Sequence, residues 1–220
     1  MLLGVFLNSF AVILGGCIGL LLGKGLSDRI SETIMNGLAL CVLLIGISGS
    51  LEGENVLLVI LAVVLGALCG EGFDLEGRIE RRVKKLQVAS QIVQGFITAS
   101  LLFCVGAMAI IGSLQSGLSG THEILMAKSL LDGTAAFVLA STLGVGVILA
   151  VIPLFFYQGG LVVLSGIIEP YLTSEMIQEL TCVGSLLIIG IALNMLKVTD
   201  LKIMNYVPAL FVIVLLCLFK

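Results

Sequence analysis

The chain has 220 residues, 59% of them hydrophobic and 11% charged, with a mean hydropathy of +1.24. That apolar share excludes an ordinary water-soluble domain and marks a polytopic membrane protein. The net charge of -3 says little by itself, because in a membrane protein the placement of charge matters more than its sum.

Lipid offers backbone groups no hydrogen-bond partners, so each apolar run of span length reads as a helix. Such runs cover residues 2–22, 34–51, 55–70, 95–113, 124–142, 147–168, 180–196 and 203–219, which predicts an all-α bundle of eight spans. Met1 is followed at once by apolar residues and no basic stretch, so the first segment is expected to stay in the mature chain rather than act as a signal peptide. From Ile124 to Ile168 only Gly144, Gly146 and Pro153 offer a break. A single helix there would overshoot the bilayer about twofold at 1.5 Å per residue. The stretch is therefore two spans, or one span and a re-entrant piece.

Charge fixes the expected orientation. Lys24 and Arg29 follow the first span, Arg78, Arg81, Arg82, Lys84 and Lys85 the third, and Lys197 and Lys202 the seventh. With eight spans these lie on one side, which the positive-inside rule makes cytoplasmic. Glu52, Glu54, Glu123, Glu169, Glu175 and Glu179 fall in the opposite loops. Localisation in a bacterial inner membrane with both termini external follows as the expectation. Residues 74–94 place Leu75, Ile79, Val83, Leu86 and Val93 at helical spacing beside five cations, which predicts an amphipathic cytoplasmic helix against anionic headgroups.

Sliding the chain by 144 positions puts Gly15 and Gly16 on Gly159 and Gly160, and Leu43, Ile45, Gly46 and Ile47 on Leu187, Ile189, Gly190 and Ile191. With Leu20 on Leu164 these are seven identities over residues 15–47, where about three are expected by chance for this composition. The shift pairs spans one to three with spans six to eight and spans an odd number of crossings, so the copies would be inverted. The expected organisation is one integral membrane domain, 1–220. It has a first repeat at 1–70, the amphipathic helix at 74–94, central spans at 95–142 and a second repeat at 147–220.

Inverted repeats with glycine-interrupted helices point to a transporter site. Asp132 is the carboxylate well inside a predicted span, and Lys128 lies four residues earlier on the same helix face. Gln158 adjoins Gly159 and Gly160, where freed carbonyls could coordinate a cation or small solute, and Gly15 and Gly16 are their counterparts. Gly15, Gly16, Gly19 and Gly23 also have the small-residue spacing of close helix packing, and both roles stay open. Asn8, Asn36, Asn194 and Asn205 are further amides in or beside spans. The substrate or ion site is accordingly expected among Asp132, Lys128, Gln158, Gly159, Gly160, Gly15, Gly16, Asn8, Asn194 and Asn205.

Catalytic patterns are absent from the sequence: no GxSxG, HExxH or P-loop occurs, and the lone histidine, His122, sits in a short polar loop. The six cysteines form no CxxC or Cys/His cluster, so no metal site and no cofactor are expected. An enzyme is disfavoured.

The run Phe96-Ile97-Thr98-Ala99-Ser100-Leu101-Leu102-Phe103-Cys104-Val105-Gly106-Ala107-Met108-Ala109-Ile110-Ile111-Gly112-Ser113-Leu114 resembles the signature of the YdfK/YqgA-like family of bacterial inner-membrane proteins, domain of unknown function 554. So do Lys128-Ser129-Leu130-Leu131-Asp132-Gly133, Tyr157-Gln158-Gly159-Gly160 and Asn205-Tyr206-Val207-Pro208-Ala209. Ala192 before Leu193-Asn194 departs from the pattern, where glycine is expected. The resemblance spans nearly the whole chain. It implies a multi-span membrane protein with a transport role and supplies no substrate.

The functional expectation is a small secondary transporter of a polar or ionic solute, coupled through Asp132 to a proton or cation. A passive channel and a structural or regulatory membrane subunit are the alternatives. The expected partners are the lipid bilayer, a small solute or ion, and a second copy of the chain in a homodimer; nucleic acid is not among them.

Overall fold

The computed structural model describes residues 1–23, 28–78, 81 and 90–219. Its helices are α1 (Leu3–Gly23), α2 (Asp28–Ser50), α3 (Val56–Gly72), α4 (Ser90–Cys104), α5 (Ala107–Leu118), α6 (Glu123–Leu143) and the short α7 (Gly146–Leu149). Then follow α8 (Val151–Val163), the short α9 (Ser165–Ile168), α10 (Ser174–Met195), the short α11 (Ile203–Tyr206) and α12 (Ala209–Leu218). The protein is all-α, with no strand among the described residues.

Five stretches, Leu3–Gly23, Glu32–Ser50, Glu123–Leu143, Gly146–Val163 and Ser174–Met195, are long and apolar enough to cross a bilayer. Together α4 and α5 would make a sixth, and Val56–Gly72 and Ile203–Leu218 are shorter apolar stretches. The run expected as one span at 95–113 is bent by 57° between α4 and α5. Gly106, at φ +121°, is the cause, since that backbone region suits glycine and breaks the helix. Of the amphipathic helix expected at 74–94, residues 75–78 are helical and 90–94 begin α4, while 79–80 and 82–89 lie outside the described residues.

The chain forms two compact units, residues 1–38 with 90–172 and residues 39–89 with 173–220. Each draws on both expected repeats, and α2 supplies residues to both.

In the first unit α1 packs along α6 on a glycine seam. A methyl group added at Gly15, Gly19 or Gly23 would overlap the carbonyl oxygen of Gly133, Phe137 or Ser141 respectively. Because lipid is as apolar as the side chains, such backbone-to-backbone packing takes over from the hydrophobic effect in holding membrane helices together. Numbers rise together along the seam, so α1 and α6 run parallel. Val12, Ala136 and Leu154 share one buried cluster, whereas Val5, Leu125 and Val162 share another. The order is reversed on α8, which therefore runs opposite to α1 and α6.

The second unit is arranged around α10, with 72% of its most apolar window buried against 28–39% for the other membrane-length helices. Gly46 of α2 packs on Ile189 and Gly49 on Ser185, so α2 and α10 are antiparallel. Gly66 of α3 meets Ala209 and Gly70 meets Asn205, which makes α3 antiparallel to the segment holding α11 and α12. Asn55 caps α3 through a bond from Leu58 N, and Thr173 caps α10 through one from Met176 N.

Candidate functional site

A polar layer one turn thick crosses the first unit. The buried faces of α1, α6 and α8 bring Asn8, Lys128, Asp132 and Gln158 to one level, with Val5, Leu125 and Val162 on one side and Val12, Ala136 and Leu154 on the other. Asp132 lies nine residues into α6, about 14 Å along it at 1.5 Å per residue. Asn8 and Gln158 are fully buried, and the side chains of Lys128 and Asp132 are each 7% exposed.

Lys128 Nζ donates to Asp132 Oδ1 at 2.9 Å. Asn8 Nδ2 donates to Asp132 Oδ2 at 2.9 Å and to Gln158 Oε1 at 3.1 Å. Both amide protons of Asn8 are thereby used, while its Oδ1 and the Nε2 of Gln158 have no protein partner. The orientation is forced: turning the Asn8 amide would set its oxygen against the carboxylate, and turning Gln158 would set two donors face to face. Charge on Asp132 thus fixes the polarity of Asn8, and Asn8 fixes that of Gln158. The chain of bonds ends in one free acceptor and one free donor, both inside the protein. Removing two charges from water costs several kcal/mol per ion, and the mutual attraction offsets that only with good geometry and further hydrogen bonds. The Asn8 amide supplies one such bond.

Backbone release at the paired glycines is not what the fold contains. Gly15 and Gly16 lie inside the unbroken α1, where Gly15 belongs to the seam with α6 and Gly16 abuts Ile148. Gly159 and Gly160 lie inside α8, and Gly160 O accepts from Leu164 N at 2.9 Å. Breaks flank α8 instead. One is a single turn residue, Ala150, which keeps right-handed helical angles within the Gly146–Val163 stretch and lies three residues before Pro153, whose ring supplies no N–H to Leu149. The other is at Leu164.

Two of the expected amides belong to the second unit, outside this layer. Asn194 closes the loop after α10: its Oδ1 accepts from Thr199 Oγ1 and Leu201 N, and its Nδ2 donates to Leu201 O. Asn205 ties α11 to the end of α3, donating to Glu71 Oε2 at 2.6 Å and accepting from Glu76 N at 2.8 Å. Both are accounted for by local architecture.

Glu179, expected in an external loop, is fully buried in α10. Its Oε1 accepts from the N–H groups of Glu54 and Asn55 at 2.9 and 2.6 Å, just ahead of α3, where a helix start favours negative charge. Its Oε2 is buried without a partner. The apolar run begins only at Leu180, so hydropathy alone leaves Glu179 outside the membrane helix; its six-residue spacing from Thr173, a capping type, is the available signal that the helix starts earlier.

These features define a polytopic α-helical membrane protein with an ion pair held in its interior. The chain belongs to the family described as "Protein of unknown function (DUF554)", which matches residues 3–218. It is 30% identical over 213 residues to the "Uncharacterized membrane protein YdfK" of Bacillus subtilis (strain 168), covering 95% of this chain and 93% of that protein. It is 33% identical over 220 residues to the "Uncharacterized protein YqgA" of Escherichia coli (strain K12), covering 96% and 94%. No solved structure matches the chain.

Proposed function

We propose that the protein is a secondary transporter of a small polar or ionic solute in a bacterial inner membrane, with Asp132 as the group that couples transport to a proton or cation. The observation that carries this reading is the Lys128–Asp132 pair at 2.9 Å, 7% exposed and joined through Asn8 to Gln158. Ionisable side chains are rarely kept inside membrane helices without a use. Protonation of Asp132 would take the counter-charge from Lys128, and a proton placed on Oδ2 would turn the acceptor of the Asn8 amide into a donor, a change that Asn8 would pass to Gln158.

The inverted repeat belongs to the same reading, and helix directions support it. The three pairs of segments superposed by the 144-residue shift are α1 with α8, α2 with α10 and α3 with the segment holding α11 and α12. Each pair meets within one compact unit, α2 through its residues 39–50, and runs antiparallel, as copies facing opposite sides of a membrane would. Eight crossings with both termini external fit this arrangement. A homodimer would supply the further walls that a chain of 220 residues lacks.

The test is proton movement in proteoliposomes under an imposed membrane potential, read by an internal pH dye. Protein-dependent acidification that is lost in Asp132→Asn is the expected result. Equal acidification by wild type and variant removes the coupling role, and unitary currents in a planar bilayer identify a passive channel instead.

A further inference from the structure

We infer that the second unit carries a binding groove for a zwitterionic phospholipid of the ethanolamine type. A groove of about 670 Å³ lies between one face of α3 and the 200–206 segment. Its inner end is apolar, formed on α3 by Val64, Ala67 and Leu68, with Val64 and Leu68 more than half exposed. Its other end is lined by Glu71, Asp200 and Lys202. From Val63 to Glu71 the groove follows α3 for about 12 Å at 1.5 Å per residue, passing from purely apolar to charged. That gradient along a membrane helix is the profile of a lipid, with an acyl chain beside the apolar rows and a headgroup at the charged end.

The charges decide which headgroup. Lys202 Nζ sits 3.6 Å from Glu71 Oε1, a loose pair with both side chains more than half exposed, so the ammonium can also meet a phosphate. Glu71 is not free to swing away, because the buried Asn205 donates to its Oε2 at 2.6 Å and is itself held by Glu76 N. Asp200 adds a second carboxylate at the same end. Among the described residues that line this end, one cation and two anions complement a headgroup that bears a phosphate and a primary ammonium. The phosphate faces Lys202, and the ammonium N–H groups face Glu71 and Asp200. A glycerol headgroup offers the phosphate with no cation to answer the carboxylates. A choline headgroup has a cation without N–H donors.

Native mass spectrometry of the full chain, released from micelles holding equal amounts of phosphatidylethanolamine, phosphatidylglycerol and phosphatidylcholine, tests this. Wild type is expected to retain phosphatidylethanolamine over phosphatidylglycerol by about fivefold or more, the size of one favourable charge contact near a membrane surface. In the double variant Glu71→Gln/Asp200→Asn the preference should fall to parity or reverse, while the amide oxygen introduced at position 71 can still accept from Asn205. Asp200→Asn alone, at an exposed position between helices, should lower the preference without touching that bond. Equal retention of all three lipids by wild type, an unchanged preference in both variants, or a wild-type protein that carries no lipid would overturn the inference.

Discussion

Asn8 and Asp132, 124 positions apart in the chain, are joined by a 2.9 Å hydrogen bond in which the amide donates to the carboxylate. The bond links α1 to α6 at the same level at which Lys128 neutralises the acid and Gln158 receives the second amide proton. The carboxylate sets which way the Asn8 amide points, and through Asn8 it sets the orientation of Gln158 on a third helix.

The pair should behave asymmetrically on mutation. Asp132→Ala leaves the Lys128 ammonium buried and unanswered, and is expected to destabilise the protein by about 3–5 kcal/mol. Lys128→Met/Asp132→Leu removes both charges and should restore most of that loss. Thermal unfolding of the detergent-purified variants, arranged as a double-mutant cycle, measures the difference.

The glycine seam gives a second prediction. Gly19→Ala places a methyl group on the carbonyl of Phe137 and should cost about 1–3 kcal/mol, because backbone must move to admit it. Gly160→Ala meets nothing within 4 Å and sits mid-helix, so it should be neutral or gain up to about 1 kcal/mol. Unfolding midpoints report both, and a large loss at Gly160 would contradict the continuous α8.

Glu179 should hold the loop before α3 in place. In Glu179→Ala the N–H groups of Glu54 and Asn55 lose their acceptor, at about 1–3 kcal/mol each. Hydrogen exchange at these two amides should accelerate markedly, whereas in Glu179→Gln the retained carbonyl oxygen should preserve most of the protection.

At the surface, the Arg81 guanidinium bonds Asp74 at 2.8 Å and holds its carboxyl below the ordinary value of 3.8. A carboxyl lowered in the folded protein contributes stability above its unfolded value and loses it as pH falls through the folded one. Carbon chemical shifts of Asp74 should therefore titrate below 3.8 in wild type and move back up in Arg81→Gln. Both side chains are about half exposed or more, so added salt should shrink the difference.

Much of the architecture was legible because it is written locally. Hydropathy located the apolar helices, of which five are long enough to cross a bilayer and a sixth is the bent α4–α5 pair, and four-residue spacing put Lys128 and Asp132 on one face. What joins them to Asn8 and Gln158 depends on contacts 124 and 150 positions apart, which no local pattern encodes. Glycine was ambiguous for a physical reason: the missing side chain both frees a backbone and admits a neighbour. At Gly15 the carbonyl of Gly133 decides for the neighbour. Gly106 was hidden inside an unbroken apolar run, where hydropathy gives no sign that one residue takes a left-handed conformation.

The most direct test of the account is proton uptake by proteoliposomes holding the charge-balanced variant Lys128→Met/Asp132→Asn. This variant leaves no unpaired buried ion at the site and so should stay folded, which separates the acid's chemistry from its structural contribution. The account predicts a correctly folded protein whose proton uptake under an imposed potential drops to the level of empty liposomes. Uptake equal to wild type in the same folded variant would contradict it.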